Sequence, residues 1–183
     1  RYYVPNNVAI VLAGDFNPDE TIAIIDKYFG QWKPSTNLTR PEFPAQSKIT
    51  AQRDTTVVGQ DAENLMMAWR FKGENDMQSD TIDLVRHLLY NGQAGLIDIN
   101  LLQPMKVQDV GVDFDGLHDY SAFIIEASPL HGQSLQQVKK LLLEQINKLA
   151  RGEFSNQLLP AVMANKKLHY FEDLQNNILR ASF

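Results

Sequence analysis

Residues 12–32 read LAGDFNPDETIAIIDKYFGQW, an apolar run that turns at Gly14 into a helix. Asn17 stands at the N-cap position, Pro18 at the first helical position and Glu20 at the third, which is the pattern of a capping box. Many phosphate sites share this strand-to-helix layout, but their loops need several glycines whose amides approach the anion. This turn has one glycine, and its three acids would repel a phosphate. The stretch therefore predicts a structural corner.

Length and composition narrow the class of protein. The chain has 183 residues, enough for one domain, and we expect residues 1–183 to be a single domain cut from a longer chain. A net charge of -5 argues against a nucleic acid or an anionic membrane as partner, since either needs a basic patch. The absence of cysteine excludes disulfides and cysteine-ligated zinc but does not decide between the cytosol and the cell envelope. No apolar stretch approaches membrane-spanning length, so we expect no membrane insertion of this segment.

The first part of the chain predicts one helix and three strands. A β-branched run over residues 8–13 predicts a buried strand, and the helix after it ends at Gly30. A proline-rich stretch over residues 33–44 predicts an extended loop. Further strands are expected over residues 49–58 and 64–71. The second of these is almost entirely apolar, which favours a central strand of the sheet.

Two helical stretches follow. Apolar spacing predicts a helix from Asp76 or Ser79 to the Asn-Gly pair at 91–92. A second stretch over residues 94–101 must end before Pro104, because proline cannot continue a helix.

A hairpin and two helices complete the pattern. Alternating apolar residues over 110–114 predict a half-exposed strand, residues 116–119 the turn, and residues 120–127 the returning strand. A helix capped by Ser134 comes next, and a last helix begins within residues 155–160. The apolar positions of the last helix are Ala164, Leu168, Phe171, Leu174 and Ile178. This order predicts an α+β fold with a mixed, largely antiparallel sheet covered by helices on one face.

The predicted hairpin turn, DFDGLHD, gathers the richest set of metal-ligating groups: Asp113, Asp115, His118 and Asp119. Their oxygen atoms could hold a hard cation, although the spacing differs from that of a calcium loop. Tight turns also prefer Asp and Gly, and we favour this interpretation. Calorimetric titration with calcium, magnesium or zinc tests it, since only a cation site gives saturable heat.

Other candidate groups do not form a catalytic pattern. The four histidines, at positions 87, 118, 131 and 169, stand in neither an H-E-x-x-H nor an H-x-x-E-H frame. His169, Glu172 and Asp173 share a helix face, which suits a metal but equally suits solvated side-chain pairs. The serines lack a nucleophile-elbow motif. We therefore predict no catalytic, cofactor-binding or metal-binding residue in this chain.

Residues 2–32, YYVPNNVAIVLAGDFNPDETIAIIDKYFGQW, resemble a segment of the pitrilysin/insulinase family of zinc metallopeptidases. In that family the segment opens the non-catalytic domain that follows the zinc-bearing one. The matching features are a Tyr-x-Pro-x-Asn start, an aliphatic strand, Gly-Asp-Phe, a proline, and a helix ending Phe-Gly-x-Trp. Here they are Tyr3, Pro5, Asn6 or Asn7, Gly14, Asp15, Phe16, Pro18, Phe29, Gly30 and Trp32.

The resemblance implies a role in proteolysis. In the family two homologous halves close around an unfolded peptide, and one half carries an H-x-x-E-H zinc site. The expected partners are therefore a peptide substrate and a homologous catalytic domain that holds the zinc, in the same parent protein or in a partner subunit.

One part of the family pattern differs in this chain. Active members often carry an Arg-Glu pair at a helix end and a tyrosine shortly after, and the Arg and Tyr face the substrate. Here Gln103-Pro104-Met105 stands at that place, and neither Arg nor Tyr occurs between Gly92 and Gly116. An inactive structural or partner-binding member of the family is therefore the alternative.

Overall fold

The computed structural model describes residues 2–182. They divide into two units, one formed by residues 2–57 with 169–182 and the other by residues 58–168. Within the described range, no helix combines the length and the apolar character that crossing a bilayer requires.

The first unit contains a 3₁₀ turn at Pro5–Asn7, helix α1 at Pro18–Phe29 and the short α5 at Asn177–Arg180. Helix α1 begins at Pro18 as predicted, and one half of the predicted capping box is present, because the Asn17 side chain accepts hydrogen bonds from two amides of the first turn. The two amides are those of Asp19, at 3.0 Å, and Glu20, at 3.4 Å.

The strands predicted over residues 8–13 and 49–58 are wrong. Both stretches are irregular, and almost all of their side chains are exposed. A β-branched run favours extended backbone, but a strand also needs a neighbouring edge to pair its amides and carbonyls. The other elements of the first unit are helices and irregular chain, which offer no such edge.

The second unit is built on a three-stranded antiparallel sheet. Its strands are β1 at Leu65–Lys72, β2 at Asp109–Gly116 and β3 at Tyr120–Ser128, in the spatial order β1-β3-β2. Strand β1 exists as predicted but lies at an edge, so its prediction as a central strand is wrong. Alternate residues of its apolar run pack on one face, where Trp69 pairs with Phe123 at a ring separation of 5.9 Å, whereas Met66 and Ala68 are exposed on the other face.

Four helical segments accompany the sheet: α2 at Gln78–Leu89, a π-helical segment at Asp98–Leu102, α3 at Leu135–Ala150 and α4 at Leu158–Asp173. Helix α4 runs from the second unit into the first. It ends at Asp173, so the prediction that one apolar face continues to residue 178 is wrong. The buried face carries Leu158 and Val162 instead, because α4 has apolar residues on all sides and its periodicity does not select a face.

The core lies on one face of the sheet. Its buried strand residues are Met67, Val110, Val112, Phe123, Ile125 and Ala127. Leu89 of α2, together with Val138 and Leu142 of α3, packs against them. Helices thus cover one face of an antiparallel sheet, which confirms the predicted α+β class.

An ion cluster joins α2 to α4 within the second unit. The carboxylate of Asp83 accepts hydrogen bonds from the Lys166 ammonium and from Arg86, the latter at 3.0 Å. Burial raises the pKa of Asp83, but the hydrogen bonds from Lys166 and Arg86 outweigh it and hold the pKa below its ordinary value of 3.8.

The K166M substitution is expected to lower the free energy of unfolding by about 1 kcal/mol at pH 7, because the partly exposed pair is screened by solvent. Since the folded-state pKa of Asp83 is depressed, the contribution is present above pH 3.8 and is lost as the pH falls through the folded value. Urea unfolding at pH 7 and at pH 3 measures the difference in free energy of unfolding between the K166M variant and the unsubstituted protein at each pH. Replacement of the exposed Lys140 in α3 by methionine is the control. If K166M lost as much stability at pH 3 as at pH 7, the ion pair with Asp83 would not be the source of the loss.

Candidate functional surface

The second face of the sheet is not covered by the helices of the core. We call it the open sheet face. It carries the alternate side chains Met66, Ala68, Arg70 and Lys72 of β1, Tyr120, Ala122, Ile124, Glu126 and Ser128 of β3, and Asp109, Gly111, Asp113 and Asp115 of β2. None of these side chains is buried, which leaves the face accessible to a ligand.

Charges of opposite sign lie on the two sides of the open sheet face. On β2, Asp113 and Asp115 are exposed and stand opposite the apolar residues Ile124 and Ala122 of β3. On β1, the guanidinium of Arg70 lies 4.8 Å from the centre of the Tyr120 ring. The face therefore has an acidic side on β2 and a basic side on β1, with the apolar residues Ala122 and Ile124 of β3 between them and the exposed Glu126 further along β3.

Strand β2 also presents an edge. In the part of the chain that the structure describes, β2 pairs only with β3, and its other side has no strand partner. A row of backbone amides and carbonyls at such an edge can pair with an extended peptide.

The predicted hairpin turn does not assemble a metal site. His118 and Asp119 form a pair at 2.7 Å, with 86% and 69% of their side chains exposed. Asp113 and Asp115 lie on β2 and point to the open sheet face. Over residues 2–182, no three carboxylate or imidazole groups converge closely enough to hold a metal ion.

The other predicted cluster is a solvent-exposed pair. His169 and Glu172 lie 3.0 Å apart near the end of α4, with 73% and 55% of their side chains exposed. Asp173 follows at the last residue of the helix. This cluster likewise contributes no metal-binding group among the described residues.

The segment that precedes β2 is organised by a buried acid that the sequence did not identify. Asp98 is 3% exposed, and its Oδ2 accepts the amide hydrogens of Asn91, at 3.0 Å, and Gly95, at 2.9 Å. The sequence feature that could have identified it is the position of Asp98 as the single acid within the apolar run GLIDINLL. The carboxylate therefore has a structural role, because its hydrogen bonds to these two amides hold the turn before the π-helical segment.

Residues 103–105, which the family resemblance aligns with the Arg-Glu pair of active members, form an exposed turn. Gln103 donates its side-chain amide to the carbonyl of Gln93 at 2.9 Å. Met105 has a backbone φ of 52° and closes the π-helical segment, because its N–H bonds to the carbonyl of Leu102. These residues make local contacts and carry no positive charge.

Met105→Gly is expected to raise the free energy of unfolding by about 0.5–1 kcal/mol, because glycine adopts a positive φ without the strain of a Cβ. Thermal unfolding of the two proteins measures the change. Substitution of the neighbouring exposed Gln103 by glycine is the matched control and should destabilise. If both variants lost stability, the positive φ of Met105 would not strain the backbone.

The described residues thus form an antiparallel sheet with helices on one face and contain no group of metal ligands. The chain belongs to the family described as the peptidase M16 inactive domain, whose pattern matches residues 1–166. This finding confirms the pitrilysin/insulinase resemblance seen in residues 2–32.

Two proteins from Helicobacter pylori are similar to the chain. One is a zinc protease, PqqE, which is 21% identical over 183 residues, covering 96% of this chain and 40% of that protein. The other is a protease whose crystal structure matches with a TM-score of 0.77 at 17% identity, covering 93% of this chain and 42% of the other. The chain therefore spans less than half the length of either relative.

Proposed function

We propose that this chain is one wall of a peptide-enclosing chamber in a pitrilysin-like zinc metalloendopeptidase, with residues 1–183 acting as a single non-catalytic domain. The observation that supports this most directly is the open sheet face, where Ala122 and Ile124 lie between charges of opposite sign and strand β2 has an unpaired edge. An extended peptide could align with that edge while its side chains contact the face.

The chemistry would come from a companion catalytic domain, in which zinc activates a water molecule for attack on the peptide bond. The described residues of this chain contain no group of metal ligands. The chain would contribute by shaping the chamber and binding the substrate. The sheet would exclude bulk water from the chamber, and the β2 edge would hold the substrate backbone extended. Asp113 and Asp115 would favour basic side chains in the bound peptide.

The proposal is tested with the parent protein and with this chain alone, each assayed for peptide hydrolysis with zinc and with a chelator. Cleavage by the parent only, abolished by the chelator, is the expected result. Absence of cleavage by a parent that contains no zinc would overturn the proposal.

A charge reversal tests the open sheet face itself. In the parent protein, D113K is expected to raise KM about fivefold for a lysine-containing peptide, which corresponds to ~1 kcal/mol for one exposed charge pair. Asp80→Lys in α2, a helix that packs on the opposite face of the sheet, makes the same charge change and should leave KM unchanged. If both variants had the same KM as the parent protein, the open sheet face would not take part in substrate binding.

A second candidate function is structural, in which the domain binds a protein partner within a larger assembly. The observation that favours it is the turn at Gln103 and Met105, which offers neither the Arg nor the Tyr that faces substrate in active family members. An inactive, zinc-free parent in the hydrolysis assay supports this candidate.

A further inference from the structure

A cavity of about 450 Å³ opens on the helical side of the second unit. It lies between the π-helical segment, the end of α3 and the start of α4, and no strand residue lines it. Side chains that form its apolar wall are Leu96, Ile99, Phe154, Leu158 and Ala161. The volume falls within the range of small-molecule sites, about 300–1,000 Å³, and apolar walls with a few polar groups are typical of such sites.

The polar rim of the cavity carries one acid and one base. Glu153 is held by Arg151 in a two-point pair, with N–O distances of 2.5 and 2.9 Å. Lys148 has a longer contact, 3.4 Å, to Glu144, which lies outside the cavity. Glu153 therefore has a close basic partner in Arg151, and the charge of Lys148 also helps to lower the pKa of Glu153. Among the described residues, the only close contact of Lys148 that involves its charge is the longer one to the exposed Glu144, which a ligand can replace.

The other polar residues of the rim are Ser155 and two amide side chains. Gln157 lies at the start of α4, and Asn100 donates its side-chain amide to Gln145 at 2.9 Å. A carboxylate placed beside Lys148 could accept a hydrogen bond from the Gln157 amide. A cationic ligand would have to compete with Arg151 for Glu153, the acid of this rim.

We propose that the cavity binds an apolar carboxylate, with a body of leucine to phenylalanine size against the apolar wall and its carboxylate beside Lys148. Both a peptide ending in an apolar residue and a free branched or aromatic acid have this chemistry. The site uses none of the residues of the open sheet face, so it stands or falls independently of the proposed function.

Isothermal titration of the 183-residue chain tests the proposal with three probes that carry the same isobutyl group: N-acetyl-leucine, 4-methylpentanoate and the neutral N-acetyl-leucinamide. We expect at least one acid to bind about tenfold more tightly than the amide. Binding of N-acetyl-leucine alone would indicate that the natural ligand is a peptide C-terminus, and binding of 4-methylpentanoate alone would indicate a free acid. Binding of both would show that the site recognises the chemistry that the two acids share. Equal binding of the amide, or no binding of any probe, would overturn the proposal.

Two substitutions locate the binding. K148M should weaken binding of the acid about tenfold, whereas Lys140→Met on the same helix should not. Exposed Ala161 lines the cavity, so Ala161→Phe should fill it and abolish binding, while Ala164→Phe, one turn further along α4, should leave binding intact. Circular dichroism confirms folding of each variant. Undiminished binding by a folded Ala161→Phe protein would place the ligand elsewhere and overturn the assignment.

Discussion

Replacement of Gly73 by alanine is expected to lower the free energy of unfolding by about 3 kcal/mol. Gly73 is buried directly after β1, and a Cβ there would overlap the carbonyl oxygen of His118 and lie 2.7 Å from its carbonyl carbon. These are backbone atoms of the hairpin turn, and the same turn accepts the N–H of Glu74 at the Leu117 carbonyl. Relief would require β1 to separate from the β2–β3 hairpin.

Thermal unfolding measures the effect, since 3 kcal/mol corresponds to roughly 6–12 °C in Tm for a chain of this size. The matched control is Gly111→Ala in β2, where an added Cβ meets no atom within 4 Å. That change should leave stability unchanged or slightly raised, because alanine costs less conformational entropy than glycine. Equal losses at both positions would show that the hairpin turn does not pack against Gly73.

Asp98→Ala is expected to lower the free energy of unfolding by about 2–3 kcal/mol, because it leaves the amides of Asn91 and Gly95 without their acceptor. The Gly95 amide is buried, so water does not replace the lost carboxylate. Urea unfolding at neutral pH provides the measurement.

Two further variants separate hydrogen bonding from charge. Asp98→Asn keeps a carbonyl oxygen and should lose less stability than the alanine variant. Asp113→Ala removes an exposed acid and should change the free energy of unfolding by less than about 0.5 kcal/mol. If Asp98→Ala were as mild as Asp113→Ala, the buried carboxylate would have no part in holding the turn.

The sequence predicted those elements whose signals are local. Asn17 and Pro18 define the start of α1 by themselves, and Ser134 does the same for α3, where the structure adds a Gln137 side chain that accepts the Ser134 amide and completes a capping box. The alternation over residues 110–114 predicted β2 because one face of that strand is buried and the other exposed.

The errors concern pairing between distant segments. Residues 8–13 have the composition of a strand, but composition does not supply a partner edge. The apolar run of β1 predicted a central position, whereas the pairing places β3 there.

The candidate surfaces were likewise hidden from the sequence. The open sheet face depends on the register of three strands, and the cavity beside Lys148 on how three helical segments meet. Asp98 binds amides three and seven residues away, in a turn that has no common sequence pattern.

The acidic row on β2 also affects how copies of the protein meet. An unpaired strand edge is a template for aggregation with a second chain. If two β2 edges approached each other antiparallel, Asp113 and Asp115 would face carboxylates of the same row, and like charges across a strand pair destabilise the pairing. The row therefore protects the exposed edge from self-association while leaving it open to a peptide of opposite charge.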